Sequence, residues 1–236
     1  MARAAAAVLA VAVCLGGAAR AESIKGGVAF TGKAPPMPEL KRQADPFCAK
    51  EKMNDEEVLV NKNGTLKNVI VRVTAGAQPA KAPAEPAHID QSSCMYRPRV
   101  ATVVEGQKLL IKNGDKTLHN VHTYLGKKTV FNKAQPPVAS MPPIEWVAKG
   151  DAAGILKFKC DVHPWMTAYV SISKNAFSAV TGDDGAFELK DVPAGTYTVE
   201  AWHERYGSKT MEVKVEAGKG GEAKFSYSGS EEKPKM

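Results

Sequence analysis

The chain has little of what would make it helical, membrane-spanning or nucleic-acid-binding. Apolar residues rarely recur at helical spacing anywhere in its 236 residues, which argues against a helical fold. After the N-terminal stretch there is no long apolar run, so no later segment reads as a bilayer span. Lysines are scattered rather than stacked, and aromatic residues are only 7% of the chain, which argues against nucleic-acid binding. No repeat of solenoid length occurs, no run is rich in histidine or methionine, and no general-base or nucleophile constellation stands out. Cysteine is sparse, with four in all.

What is present begins with an address. In MARAAAAVLAVAVCLGGAARA, Arg3 precedes an apolar stretch from Ala4 to Leu15, and small residues then lead to Ala19-Arg20-Ala21. This pattern predicts a secretory signal peptide over 1–21, cut before Glu22, and an exported protein, periplasmic or secreted. No paired arginines mark a twin-arginine signal. Removing 1–21 leaves 215 residues, with 30 basic against 25 acidic side chains and a formal charge of +5. A field of that size suits solubility and steering toward an acidic partner. Cys48, Cys94 and Cys160 remain, an odd count for an oxidising compartment. A Cys48–Cys94 disulfide closes a loop worth roughly 4 kcal/mol in the chain-entropy model and leaves Cys160 as the reserved thiol.

Period-two segments bounded by Gly, Pro, Asn and Asp predict an all-β protein. NVIVRVTAG puts Val69, Val71 and Val73 on one face, and GILKFKC sends Leu156, Phe158 and Cys160 one way and Lys157 and Lys159 to water. Further strands are read in GAFELKDV, GTYTVEAW, TMEVKVEAG and AKFSYS. Turn chemistry is explicit at Asn63-Gly64, Asn113-Gly114-Asp115 and Asp183-Asp184-Gly185. Residues 75–87, rich in Ala and Pro, read as a surface linker, and the end of the chain as a flexible tail.

The stretch CDVHPWM, 160–166, places a cysteine, a histidine and a methionine within seven residues, and LHNVHTY, 118–124, supplies histidine some forty residues upstream. A thiolate, two imidazoles and a thioether are the donor set of a mononuclear electron-transfer copper site. With these two motifs and CMYRPRVATVVEGQKLLIKNGD before them, residues 88–173 resemble the cupredoxins, most closely the amicyanins. The resemblance implies a Greek-key β-sandwich holding one type 1 copper through His119, Cys160, His163 and Met166. Asn120 would tie the two ligand loops together, and His122, opposite in strand parity to His119, would not face the metal. Val162 stands where amicyanins often have proline. The edge of His163 is expected near the surface, ringed by Pro164 and Trp165 as a docking surface.

Such a protein carries single electrons and is not an enzyme. Its expected partners are redox proteins such as a c-type cytochrome or a periplasmic dehydrogenase, and the protein itself is expected to be a monomer. The alternatives are a copper chaperone or storage protein and a non-redox cell-envelope binding module. His88 and His203 are read as solvated or locally hydrogen-bonded, and Trp146 and Trp202 as packing residues.

Residues 179–218 resemble the second half of a carboxypeptidase regulatory-like (transthyretin-like) β-sandwich, through AVTGDDGAFELKDV and VPAGTYTV. Its usual opening strands have counterparts far upstream, in IKGGVAFTGKAPP and LKNVIVRVTAG. The expected organisation is therefore a split sandwich, 22–80 and 175–228, with the cupredoxin at 86–174 inserted in it and a tail at 229–236. The competing division makes 22–80 an extension of the cupredoxin.

Overall fold

A computed structural model describes residues 22–137, 141–150 and 154–234. The signal-peptide reading of 1–21 and the last two residues of the tail lie outside them. The described chain is all β, sixteen strands with one short 3-10 turn at Cys48–Lys50. Among the described residues no helix is long and apolar enough to cross a membrane.

Two sandwiches account for every strand. The first sets a five-stranded sheet, in the order β5 (Val100–Val104), β11 (Thr167–Ser173), β10 (Gly154–Lys159), β7 (His119–Leu125) and β8 (Lys128–Gln135), against a four-stranded one. The latter runs β4 (Met95–Arg97), β3 (Ala87–Ser92), β6 (Lys108–Asn113) and β9 (Ile144–Val147). Alternation decides which side chains meet between the sheets. Leu156 and Phe158 of β10 are fully buried with Ile89, Leu109, Ile111 and Val121, while Lys157 and Lys159 turn outward. Burying each such apolar side chain is worth about 1.5–3 kcal/mol, which is what holds the two sheets face to face.

The second sandwich is built from both ends of the described chain. Its three-stranded sheet is β13 (Ala186–Val192), β1 (Glu22–Phe30) and β16 (Gly221–Tyr227). Its four-stranded sheet is β12 (Ser178–Val180), β2 (Ile70–Ala75), β14 (Gly195–His203) and β15 (Gly207–Val215). The N-terminal β1 lies between β13 and β16, antiparallel to one and parallel to the other. Gly26 permits that fit, because a Cβ there would overlap the Ala223 carbonyl. Val69, Val71 and Val73 fill this core together with Phe187, Leu189, Val199 and Phe225.

Not all of 22–80 stays with this sandwich, and here the expected division needs correcting. The strap around residues 42–50 crosses to the first sandwich. Arg42 donates to the Ser93 carbonyl at 2.5 Å, Thr117 donates to Asp45 at 2.6 Å, and Cys48 is bonded to Cys94. Phe47 and Cys48 pack into the core of the first sandwich. A loop rich in polar residues carries no period-two signal, so its destination is set by these long-range bonds.

The sandwiches meet on the outer face of β5 and β11. Ile70, which points out of β2, packs there with Val100, Tyr169 and Trp202. Beside them Arg99 donates twice to the Glu204 carboxylate, at 2.6 and 2.8 Å, with both side chains buried. Removing one partner of a buried pair strands the other charge. Glu204→Ala is therefore expected to lower stability by about 3–5 kcal/mol, read from urea midpoints, and a loss below 1 kcal/mol would contradict the role given to this pair.

His203, read from sequence as solvated or locally hydrogen-bonded, has no exposed surface. Its Nδ1 accepts from the Arg205 amide at 3.1 Å, and its Nε2 has no partner among the described residues. Burial pushes its pKa down to about 4 from 6.5. Below pH 6.5 the unfolded chain therefore takes up a proton that the folded chain refuses until about pH 4. Stability should be complete above pH 6.5 and fall by about 3 kcal/mol as pH drops to 4. Urea melts of the metal-free protein across this range should show the loss, and His203→Phe should flatten it.

Candidate metal centre

β10 runs out at Lys159, and the chain then turns tightly through Cys160–Met166 before β11 begins. The Met166 amide donates to the His163 carbonyl at 2.9 Å and closes that loop. His119 opens β7, with its side chain inward and no exposed surface, while Leu118 before it is exposed. These two elements bring His119, Cys160 and His163 into one buried cluster whose donor atoms all lie within 4.8 Å of one another. Cys160 Sγ is 4.0 Å from His119 Nδ1 and 3.8 Å from His163 Nδ1. Met166 is fully buried in the same core as Cys160.

The two imidazoles are oriented by carboxylates that the sequence reading did not single out. His119 Nε2 donates to Asp115 at 2.9 Å, and His163 Nε2 donates to Asp45 at 3.0 Å. Each bond fixes the tautomer and leaves the Nδ1 lone pair aimed at the other ring, with the two Nδ1 atoms 2.9 Å apart. Two facing lone pairs at that separation repel unless a proton or a cation lies between them. In the metal-free protein the pKa directions diverge accordingly. Burial opposes the charge on His119, but Asp115 and Cys160 raise it, whereas burial and the neighbouring His119 hold His163 down.

Both carboxylates are locked in their turn. Asp115 accepts the Ser93 and Cys94 amides, each at 2.8 Å. Asp45 accepts Thr117 and the Phe47 and Cys48 amides, and these contacts overcome burial to hold it ionised, at about 2. The available signals were Asp115 four residues before His119, at the end of Asn113-Gly114-Asp115, and Asp45 in ADPF. Neither points to histidine without the fold.

Burial alone would raise the Cys160 thiol, but His119 and the backbone amides of Asn120, His163 and Val162 bring its pKa below the ordinary range. The Asn120 side-chain oxygen accepts the Asp161 amide at 2.6 Å, and its side-chain amide donates to the Asp161 carboxylate at 2.8 Å. His122 is turned away from the cluster, against Asp161 at 3.0 Å and under the Tyr124 ring.

One expectation is overturned. The His163 edge does not reach the surface, since only 2% of the residue is exposed. Asp45 and the Cys48 sulfur, 3.6 Å from Nε2, close it off, because the disulfide ties the strap down at that point. Pro164 is exposed. Trp165 is half-buried, donating to the Cys94 carbonyl at 3.0 Å with its ring 5.1 Å from that of His163.

A family model described as the carboxypeptidase regulatory-like domain matches residues 162–227. The match takes in β11 to β16 and leaves out β1 and β2, which the structure places in the same sandwich as β12 to β16. No curated protein matches the chain. Among solved structures, the chain is similar to a purple cupredoxin from Nitrosopumilus maritimus, at 23% identity over 37% of this chain and 99% of that one, with a TM-score of 0.31. It is also similar to amicyanin from Paracoccus versutus, at 19% identity over 44% and 97%, with a TM-score of 0.32. A copper-containing nitrite reductase from Thermus scotoductus SA-01 is similar at 14% identity and a TM-score of 0.32, over 43% of this chain and only a quarter of that one. The carboxypeptidase regulatory-like match marks the second sandwich through β12 to β16. Any function must be argued from the side chains themselves.

The cysteine assignments have a direct check. Native metal-free protein should react slowly with a thiol reagent because Cys160 is 1% exposed, and unfolded protein lacking residues 1–21 should yield one thiol. Peptide mapping should join Cys48 to Cys94, and a Cys160-containing disulfide in native protein would contradict the structure.

Proposed function

We propose that the protein binds one copper ion at His119, Cys160, His163 and Met166 and carries single electrons in an oxidising compartment outside the cytoplasm. The observation that carries this reading is the pair of Nδ1 atoms, 2.9 Å apart beside a thiol of lowered pKa, with both Nε2 atoms already committed to carboxylates. That donor set fits a copper ion: a thiolate and two neutral imidazoles, with a buried thioether in the same core. Copper in such a set changes oxidation state by one electron.

The chain's own residues supply the rest. Asp115 and Asp45 hold the imidazoles in one tautomer and orientation, so the donors need not rearrange when the charge changes. Amides directed at Cys160 stabilise its thiolate form, and Asn120 keeps the Cys160 loop registered against β7. Leu156, Phe158 and Met166 exclude water, and a dry shell disfavours the higher charge. Burial of every donor leaves no face for a substrate, which supports a carrier rather than an enzyme. It also speaks against a chaperone, whose metal must pass readily to another protein. The disulfide supports export, in keeping with the signal-peptide reading. Monomeric state and redox-protein partners belong to the same proposal.

Addition of Cu(II) to the purified protein should produce an intense visible band from thiolate-to-copper charge transfer. Cys160→Ser should abolish it while leaving the fold intact by circular dichroism. Asp115→Ala should weaken copper binding by about 10–100-fold, as loss of a group orienting a ligand histidine does. A colourless protein would refute the copper centre.

A further inference from the structure

Closure of the His163 edge moves the question of access to another face. We propose that the uncovered half of the outer face of the five-stranded sheet, around Lys127, Lys157 and Tyr124, docks an acidic one-electron protein. The inference deepens the copper reading, which supplies the electron, and differs from the Pro164–Trp165 surface expected from sequence.

The second sandwich covers only part of this sheet face. It lies over β11, where Tyr169 packs on Trp202 and Arg72 donates to Ser171 at 3.0 Å. On the β10–β7 side a cleft of about 380 Å³ remains open, lined by Tyr124, Gly126, Lys127, Lys157 and Lys159. No acidic residue lines it. Among the described residues Lys127, Lys157 and Lys159 form no ion pair, while nine other lysines do. Lys128 adds an exposed charge at the same turn. The nearby Asp161 does not offset them freely, because Asn120, Asn132 and His122 already hold its carboxylate. Lys127 and Lys157, without an ion pair among the described residues, flank an aromatic ring and suit a partner whose docking face is acidic, while Lys159 already donates to the Pro164 carbonyl at 2.8 Å.

The face also leads inward. Tyr124 stacks on His122 with ring centroids 4.2 Å apart, and its hydroxyl lies 2.8 Å from His122 Nδ1. The same nitrogen lies 3.0 Å from the carboxylate of Asp161, the residue bonded to Cys160. Lys157 and Lys159 stand directly across the strands from Tyr124 and His122. In the exchange one electron passes from the reduced centre to the partner's oxidised haem or metal. No bond forms or breaks, and no proton is transferred.

The test uses cytochrome b5, an acidic haem protein, as the probe. Titrated at low salt into 15N-labelled metal-free protein, it should shift the amides of residues 124–128 and 157–159, with binding lost as salt is added. The double variant Lys127→Glu, Lys157→Glu should bind at least about tenfold more weakly, and the copper-loaded variant should exchange electrons with cytochrome b5 correspondingly more slowly. Reduction of both proteins by neutral hydroquinone should proceed at the same rate. Shifts centred on 117–119 and 162–166, or equal affinity in the double variant, would overturn the proposal. So would a stronger effect of Trp165→Ala than of the lysine changes. Because the footprint is read without metal, a colourless copper-treated protein counts against the copper centre alone.

Discussion

Two facing imidazole nitrogens at 2.9 Å are the constraint around which the first sandwich is arranged. The arrangement is unfavourable by itself, and it persists because each ring is held from behind by a carboxylate. Those carboxylates are held by backbone amides of the strap and of the turn before β4. The Cys48–Cys94 bond joins these two segments. The disulfide therefore stabilises more than a loop: it binds together the two groups that orient the histidines.

The same device explains why the centre is enclosed. A strap that brings Asp45 to His163 necessarily covers the ring edge through which an electron could otherwise pass. Orientation and access compete at one nitrogen, and this chain has settled on orientation. Whatever exchanges electrons with the proposed centre then has to approach elsewhere. The second sandwich restricts the choice further by covering one half of the outer sheet face, through Trp202 on Tyr169 and the buried Arg99–Glu204 pair.

The second sandwich also acts on the first through chain connectivity. Strands β2 and β12, which flank the inserted sandwich in the chain, pair antiparallel, so that sandwich is anchored where it leaves and where it returns. The buried His203 of the second sandwich, whose Nε2 has no partner among the described residues, makes this sandwich sensitive to mild acid. His119, Cys160 and His163 lie in a separate core from that histidine, with their own hydrogen bonds.

The all-β class was legible because period-two alternation is local: Leu156 and Phe158 against Lys157 and Lys159, or Val69, Val71 and Val73, declare a buried face within one strand. The cluster of Cys160 with His163 was legible for the same reason, since a short loop brings its own residues close. His119 could be matched to them through a second motif, and the odd cysteine count pointed to Cys48 and Cys94 as the bonded pair. Asp45 and Asp115 were not legible, because a carboxylate in a turn looks the same whether it faces water or a histidine. The path of residues 42–50 and the closure of His163 were likewise decided only in three dimensions. They depend on contacts between groups more than 40 residues apart, such as Cys48 with Cys94 and Asp45 with His163, and such pairings leave no periodic trace in the chain.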